Sequence, residues 1–442
     1  MSYPIHAARR AVLLTQIAPG GLLILPTAPE RVRSKDTDHP YRFDSYFSYL
    51  TGFPEPEAVL VLIAGIEGKT SHKAVLFCRE KNAERETWDG FRYGPEAARE
   101  IFGFDEAYSF SEFEAHLTPL VGQSQNLWYC LWHDDVWDSK IIAALKAARA
   151  QTRSGQRAPS VLRDPRELLD QMRRIKDSAE QNIMRRAADI SSDAYRRVLR
   201  TCRPGMMEYE LEAELSYEFR RRGADAHAYS PIVAGGHHAC TLHYTENNKA
   251  LADATLVLID AGCEVAGYAS DISRTFPVNG RFSAAQRDVY EIVLAAQTAA
   301  IAAIKPGASF NAYHDAALQV LVQGLLDLKI LTGSLSGVLE SEAYKPFYMH
   351  RTGHWLGLDV HDVGDYKTGD DWVRLAPGMA LTVEPGLYLR PGADVPAALQ
   401  GIGVRIEDDV FVTSDGCEVY TTAPKTVAEI EELMREEVIR RD

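Results

Sequence analysis

The 442-residue chain carries 62 acidic and 48 basic side chains, a formal charge of −14. That balance argues against nucleic acid or an anionic membrane as its main partner, since both select basic faces. With 46% apolar and 25% charged residues it has an ordinary globular composition, its length predicts two or three domains, and no apolar run reaches the roughly 18 residues of a membrane span.

The N-terminal run AVLLTQIAPGGLLILP is broken by Gln16, Pro19, Gly20 and Gly21, which makes it a poor signal-peptide core. From there to about residue 150, strand-like runs (LLILP, AVLVLIAG, KAVLFC, NLWYCLW) alternate with helical patches (HAARRAVLL, IIAALKAARA), an α/β pattern. QTRSGQRAPS, 151–160, is a polar linker candidate, and Asp164-Pro165 opens the helical segment RELLDQMRRI. The six cysteines are scattered with no CxxC pair and read as reduced thiols of a cytoplasmic protein.

An internal echo follows. The segments from Ser178 and from Ser283 both begin SAxQ, which fits a capping box. Each predicts a helix that stops at Pro-Gly (Pro204-Gly205, Pro306-Gly307) and resumes as a second helix, the first with Leu211, Leu215 and Phe219 on one face. A domain of two similar halves is expected, each a helix pair followed by sheet, with a site between them.

Thr255–Ile259 is a short buried-strand run that ends in Asp260. A turn with Gly262 and Gly267 then leads to a second strand that carries Asp271. In an antiparallel hairpin the two acids lie close together, and two buried carboxylates repel unless a proton or cation sits between them. Other candidate ligands come later. His354 lies in the Gly-flanked loop of HRTGHWLGLDVHD, Glu384 ends the strand before the Pro-Gly turn of TVEPGLY, and Glu407 is placed in a strand, GVRIE. Four carboxylates and one imidazole suit Mn²⁺ first, with Co²⁺, Fe²⁺ and Zn²⁺ compatible. Two such ions ~3.5–4 Å apart can share one water and lower its pKa. Arg405, two positions before Glu407, faces the same way on a strand and is expected to support a metal carboxylate, with Tyr388 beside it.

LIDAGCEVAGYASDISRTF, HRTGHWLGLDVHD, LTVEPGLY and GVRIEDD together resemble the metal-binding motifs of the pita-bread metallopeptidases, the group of methionine aminopeptidase, prolidase and aminopeptidase P. The resemblance is strongest to bacterial aminopeptidases P, the Xaa-Pro aminopeptidases. It extends to YLTGFPEPEAVLVL and FRYGPEAA in the first domain. It implies an α/β N-terminal domain over 1–172 that mediates oligomers, and an α+β pita-bread catalytic domain over 173–442 with two pseudo-symmetric halves. It further implies that Asp260, Asp271, His354, Glu384 and Glu407 ligate two metals, with Asp271 and Glu407 bridging. Glu384 would shuttle the proton, and His243 and His361 would flank the scissile peptide. His350 would line the pocket for the residue after the cut, and Trp88 would cover the substrate. A homotetramer built as a dimer of dimers is expected.

Of the thirteen histidines, His6, His39, His72, His116, His133 and His314 read as packing or surface residues, and the pair His237-His238 has no counterpart in the family pattern. The implied substrates are peptides with proline second, with no nucleic-acid or membrane partner. Prolidase, which cuts Xaa-Pro dipeptides only, stays open as an alternative. So does a non-catalytic binding module of the same fold, although none of the five ligands is lost.

Overall fold

The structure is a computed structural model that describes residues 3–66, 70–151, 153, 157–392 and 394–436. It divides into two compact units, Met1–Met172 and Arg173–Asp442, with the boundary inside the helix Arg166–Arg174. Part of the 151–160 linker candidate lies outside the described residues.

The first unit is built on a mixed six-stranded sheet. Its strands, in chain order, are β1 (Gly21–Pro26), β2 (Val59–Ile63), β3 (Lys73–Cys78), β4 (Glu106–Ser109), β5 (Asn126–Trp128) and β6 (Val161–Arg163), and their order in space is β4-β3-β2-β1-β5-β6. β1 runs antiparallel to β2, with Leu23 opposite Leu62, and parallel to β5. The central strands are near-continuous apolar runs because both faces are covered, and Leu23, Ile24, Leu60 and Val61 are wholly buried.

The second unit repeats one motif twice. Helices α1 (Ser178–Thr201) and α2 (Glu208–Arg221) precede a three-stranded sheet, β7 (Ile232–Gly235), β8 (Leu256–Asp260) and β9 (Ser273–Pro277). Helices α3 (Ala284–Ala303) and α4 (Ala312–Asp327) precede β10 (Ala380–Val383), the hairpin β11 (Gly386–Leu389) and β12 (Ile402–Arg405), then β13 (Asp408–Val412) and β14 (Cys417–Val419). The sheet partners in the second half are ordered β10-β13-β14. Leu211, Leu215 and Phe219 are buried, as their spacing predicts. Ser283 and Gln286 form the expected capping box of α3. At α1 the box lies one residue earlier than SAxQ suggests: Asp177 is the N-cap, its carboxylate accepts from the Ala179 and Glu180 N–H groups, and Glu180 is its reciprocal partner. All six cysteines are free, and among the described residues no helix is long and apolar enough to cross a membrane.

Buried ion pairs lock the second unit. Arg274 on β9 donates to Asp408 on β13 at 2.7 Å, which fastens the sheet of one half to the sheet of the other. Asp362 accepts from Arg173 at 2.6 Å and Lys176 at 2.8 Å, with all three side chains 1% exposed. Burial alone would raise the Asp362 pKa, but the Lys176 and Arg173 charges outweigh it and hold it below the usual carboxylate value. A depressed folded-state pKa contributes stability that is present above the unfolded value, near 3.9, and is lost as pH falls through the folded one. Asp362→Ala strands the buried Lys176 ammonium and leaves buried Arg173 paired with Asp359. It is expected to cost about 3–5 kcal/mol at neutral pH and to flatten the loss of stability below about pH 4, both read from urea unfolding across pH.

Candidate metal centre and catalytic cleft

A cleft of about 810 Å³ opens in the second unit, and Asp260, Asp271, His354, Glu384 and Glu407 all line it. Asp260 is the last residue of β8, paired with Ser273 on β9. Asp271 is not on a strand as expected. The glycine turn contains its own small hairpin, Cys263–Val265 with Tyr268–Ala269, and Asp271 lies in the loop just before β9. Glu407 likewise falls off the strands, in the step between β12 and β13, where its N–H donates to the Ser273 carbonyl at 3.0 Å. Glu384 follows β10, and its N–H donates to the Thr352 carbonyl at 2.8 Å. Gly353 is required beside His354: an added Cβ would stand 2.0 Å from the Thr382 carbonyl oxygen.

Ligand atoms of Asp271, His354 and Glu407 lie within 4.8 Å of one another. His354 Nε2 is 3.5 Å from Asp271 and 3.7 Å from Glu384. The Nδ1 of His354 is 2.9 Å from the Trp355 carbonyl, to which it donates, so Nε2 is the nitrogen available to a cation. Asp260 joins the group through Tyr229, whose hydroxyl lies 2.7 Å from Asp260 and 2.5 Å from Asp271 and can donate its one proton to one carboxylate at a time.

The electrostatics are those of an uncompensated anionic cluster. Burial, with Asp271 and Asp260 nearby, raises Glu384 to about 7 against the pull of His354 and Arg405. Burial and three neighbouring carboxylates push Glu407 well above its usual value, and burial raises Asp260 despite Arg405. Burial disfavours the charged form of His354, but the Asp271 hydrogen bond and the Glu384 charge prevail and lift it to about 9. Four acids that cannot all ionise, together with an imidazole drawn toward protonation, call for positive charge among them. Oxygen and imidazole donors with no thiolate fit hard or borderline divalent ions.

The surroundings orient these groups. Arg405 Nη2 donates to Asp260 at 2.6 Å, its Nε to Ser273 Oγ at 2.9 Å, and its Nη1 to the Tyr388 hydroxyl at 3.1 Å. Ser273 in turn donates to Glu407 at 2.8 Å. Arg405 thus touches Asp260 directly and reaches Glu407 only through Ser273, since Glu407 is not on its strand. Tyr388 is 2.8 Å from His350 Nε2, and His350 Nδ1 donates to the Arg351 carbonyl at 2.8 Å. Burial and the Arg405 charge lower His350 to about 3, so it is neutral and its Nε2 accepts from Tyr388.

His243 and His361 also line the cleft, and His361 stacks on His354 with ring centroids 3.9 Å apart. Burial and the neighbouring His354 lower the His361 pKa. His237 and His238 pack against each other at a tilt and His238 stacks on Tyr244, away from the cleft lining. His6 and His314 are buried, with Tyr49 and Thr352 as partners. Trp88, on the first unit, is 80% exposed.

Four participants had no signal in the sequence reading. Tyr229 lies outside every motif, and Ser273 and Arg351 stand within motifs whose acids and histidines drew the functional reading. Asp409 stands in GVRIEDD, and its carboxylate accepts from the Asp271 N–H at 3.0 Å.

Comparison with known proteins matches the same elements. The family model described as metallopeptidase family M24 covers residues 182–414, and that of the aminopeptidase P N-terminal domain covers residues 6–128. The chain belongs to metallopeptidase family M24. This M24 chain is 44% identical to the Xaa-Pro aminopeptidase of Escherichia coli (strain K12) over 96% of each chain. It is 38% identical to Xaa-Pro aminopeptidase 3 of Homo sapiens over 93% of its own length and 80% of the human chain. Among solved structures it is similar to aminopeptidase PepP of Pseudomonas aeruginosa (TM-score 0.95, 48% identity, 98% of both chains) and to proline aminopeptidase P II of Yersinia pestis (TM-score 0.96, 46% identity, 98% and 99%). The M24 architecture is therefore the one expected, an α/β N-terminal domain ahead of an α+β pita-bread catalytic domain.

Proposed function

We propose that the protein is a metal-dependent aminopeptidase that hydrolyses the first peptide bond of substrates with proline second. The observation that carries the reading is the buried set of four carboxylates and one imidazole lining a single cleft. Relatives that match nearly the whole chain are Xaa-Pro aminopeptidases, which favours this reading over prolidase.

Asp260, Asp271, His354, Glu384 and Glu407 are assigned as ligands of two divalent ions, Mn²⁺ first, with Asp271 and Glu407 bridging. Structures of the Escherichia coli enzyme include a zinc-substituted one in complex with product, which supports divalent metal of more than one kind. When bound, such ions supply a water acidic enough to attack near neutral pH and polarise the scissile carbonyl.

The chain's own groups do the rest. Glu384 takes the proton from the attacking water and delivers it to the leaving nitrogen. That nitrogen belongs to a tertiary amide with no N–H of its own, so proton delivery to it decides whether the bond breaks. His243 and His361 flank the carbonyl and donate to the developing oxyanion. His350, kept neutral by burial and the Arg405 charge and oriented by its hydrogen bonds to Tyr388 and the Arg351 carbonyl, walls the ring pocket without placing a charge against it. Replacing the second proline by alanine is expected to cost most of kcat/KM, because the ring pocket is left unfilled; equal rates on Xaa-Pro-Yaa and Xaa-Ala-Yaa would reject the pocket.

The assembly is a homo-oligomer, a tetramer built as a dimer of dimers, in which the first unit makes the contacts and Trp88 covers a neighbour's substrate. Exposed aromatic residues on that unit support it: Trp88 at 80%, Phe91 at 65% and Trp132 at 90%. Six free thiols support a reducing compartment, the cytoplasm. Light scattering at micromolar concentration is expected to give four chains per particle; a monomer rejects the assembly.

A further inference from the structure

The cleft holds a second arginine that the metal site does not use. Arg351 lines it beside His350, together with the aromatic side chains of Phe310, Tyr366 and Trp372. Its guanidinium lies 4.8 Å from the centre of the Trp372 ring, a cation–π distance, and one Nη donates to the Asn311 side-chain oxygen. Asn311 is itself fixed, because its amide nitrogen donates to Asp315 at 2.7 Å and so leaves the oxygen for Arg351. Among the described residues no carboxylate pairs with Arg351, whereas Arg173, Arg274 and Arg405 each hold one. A guanidinium has five N–H donors in a planar fork, and the Asn311 contact engages only one nitrogen. In a chain of net charge −14, an acid-free, pre-oriented arginine at the mouth of an anionic cleft is a receptor for a carboxylate.

Its place along the substrate follows from its neighbour. The His350 ring reaches 3.7 Å from Glu384 and 2.8 Å from Tyr388, which on the peptidase reading sets position 350 against the reacting bond and the proline. The Arg351 side chain is instead held at Asn311 and Trp372, in the aromatic arm of the cleft. A peptide in extended form advances about 3.3 Å per residue, which carries the residue after proline away from His350 and into that arm.

Building on the peptidase reading, we propose that Arg351 binds the C-terminal carboxylate of the residue after proline, making free Xaa-Pro-Yaa tripeptides the preferred substrates. A bidentate charge-assisted contact at a partly solvated site is expected to give about tenfold in kcat/KM, most of it in KM.

The test compares Xaa-Pro-Yaa with its C-terminal amide and with the dipeptide Xaa-Pro, in the wild type, Arg351→Gln and Arg351→Lys. Because Arg351 is exposed, the variants leave the core untouched. The wild type is expected to prefer the free tripeptide to its amide about tenfold. Arg351→Gln is expected to lose that preference through a drop on the free acid far larger than on the amide, and Arg351→Lys to restore part of it, keeping charge without the fork. Equal wild-type rates on acid and amide overturn the assignment, as does an Arg351→Gln loss that is the same on both. A larger loss on Xaa-Pro than on Xaa-Pro-Yaa also overturns it, since Arg351 would then read the proline carboxylate. Failure of the wild type to cleave any of the three rejects the peptidase reading itself and this inference with it.

Discussion

Glu384→Gln is expected to lower kcat at least about 10²-fold while the fold stays intact, because positioned proton transfer is typically worth 10²–10⁴. The site gives the reason. Glu384 is a buried carboxylate beside His350 and His354, placed where the cleft holds the reacting bond, and with no ion bound, burial and its neighbouring acids raise it to about 7. Glutamine keeps the shape and a possible carbonyl ligand but carries no transferable proton. Thr382 Oγ lies 3.4 Å from Oε1 of Glu384 and its backbone N–H is anchored to Thr352, so the amide has a ready-made seat. Stopped-flow or steady-state kinetics with the bound metal measured in the same samples checks it; near-normal activity with metal retained removes Glu384 from the mechanism.

Glu407→Gln separates stability from function. The Glu407 side chain is 2% exposed, with three like-charged neighbours. Replacing it relieves that repulsion, so the metal-free variant is expected to melt higher than the metal-free wild type, by roughly 2–4 °C for each kcal/mol gained. The Ser273 hydroxyl can still donate to the glutamine oxygen, and the neighbouring carboxylates offer acceptors for the new amide N–H groups. Loss of a carboxylate proposed to bridge the ions is at the same time expected to weaken metal binding more than the 10–100-fold typical of changing a residue that only supports a ligand, and to reduce activity accordingly. Calorimetry on metal-free protein and a metal titration read the two effects separately. A lower Tm in the metal-free variant contradicts the repulsion argument. A strained, self-repelling cluster of this kind is a familiar compromise between stability and activity.

The strand-end acids were legible in the sequence because a buried run that stops in Asp or Glu before a glycine turn is costly without a partner. The helix pairs were legible because Pro-Gly breaks and capping boxes are local signals, although the α1 box showed that two adjacent candidate caps cannot be ranked from SAxQ alone. The runs around Asp271 and Glu407 are apolar and β-branched, which predicts strands there. Backbone pairing decided otherwise: the Cys263–Val265 hairpin interrupts one, and the Glu407 N–H is taken by Ser273 from the other half. Tyr229 could not have been found by spacing, since only tertiary folding sets its hydroxyl between Asp260 and Asp271. Arg351 stood in a quoted motif, but its significance lies in what it lacks, an acid partner, and that is visible only in three dimensions.

The proposed role of the buried acids is to hold two divalent ions that make the protein a peptidase. Stripping the metal, adding Mn²⁺ in steps, and measuring bound ions per chain by native mass spectrometry against release of the first residue from Xaa-Pro-Yaa tests it most directly. Activity is expected to be absent in the stripped protein and to reach its plateau as occupancy reaches two; undiminished hydrolysis by protein that holds no ion would contradict the account.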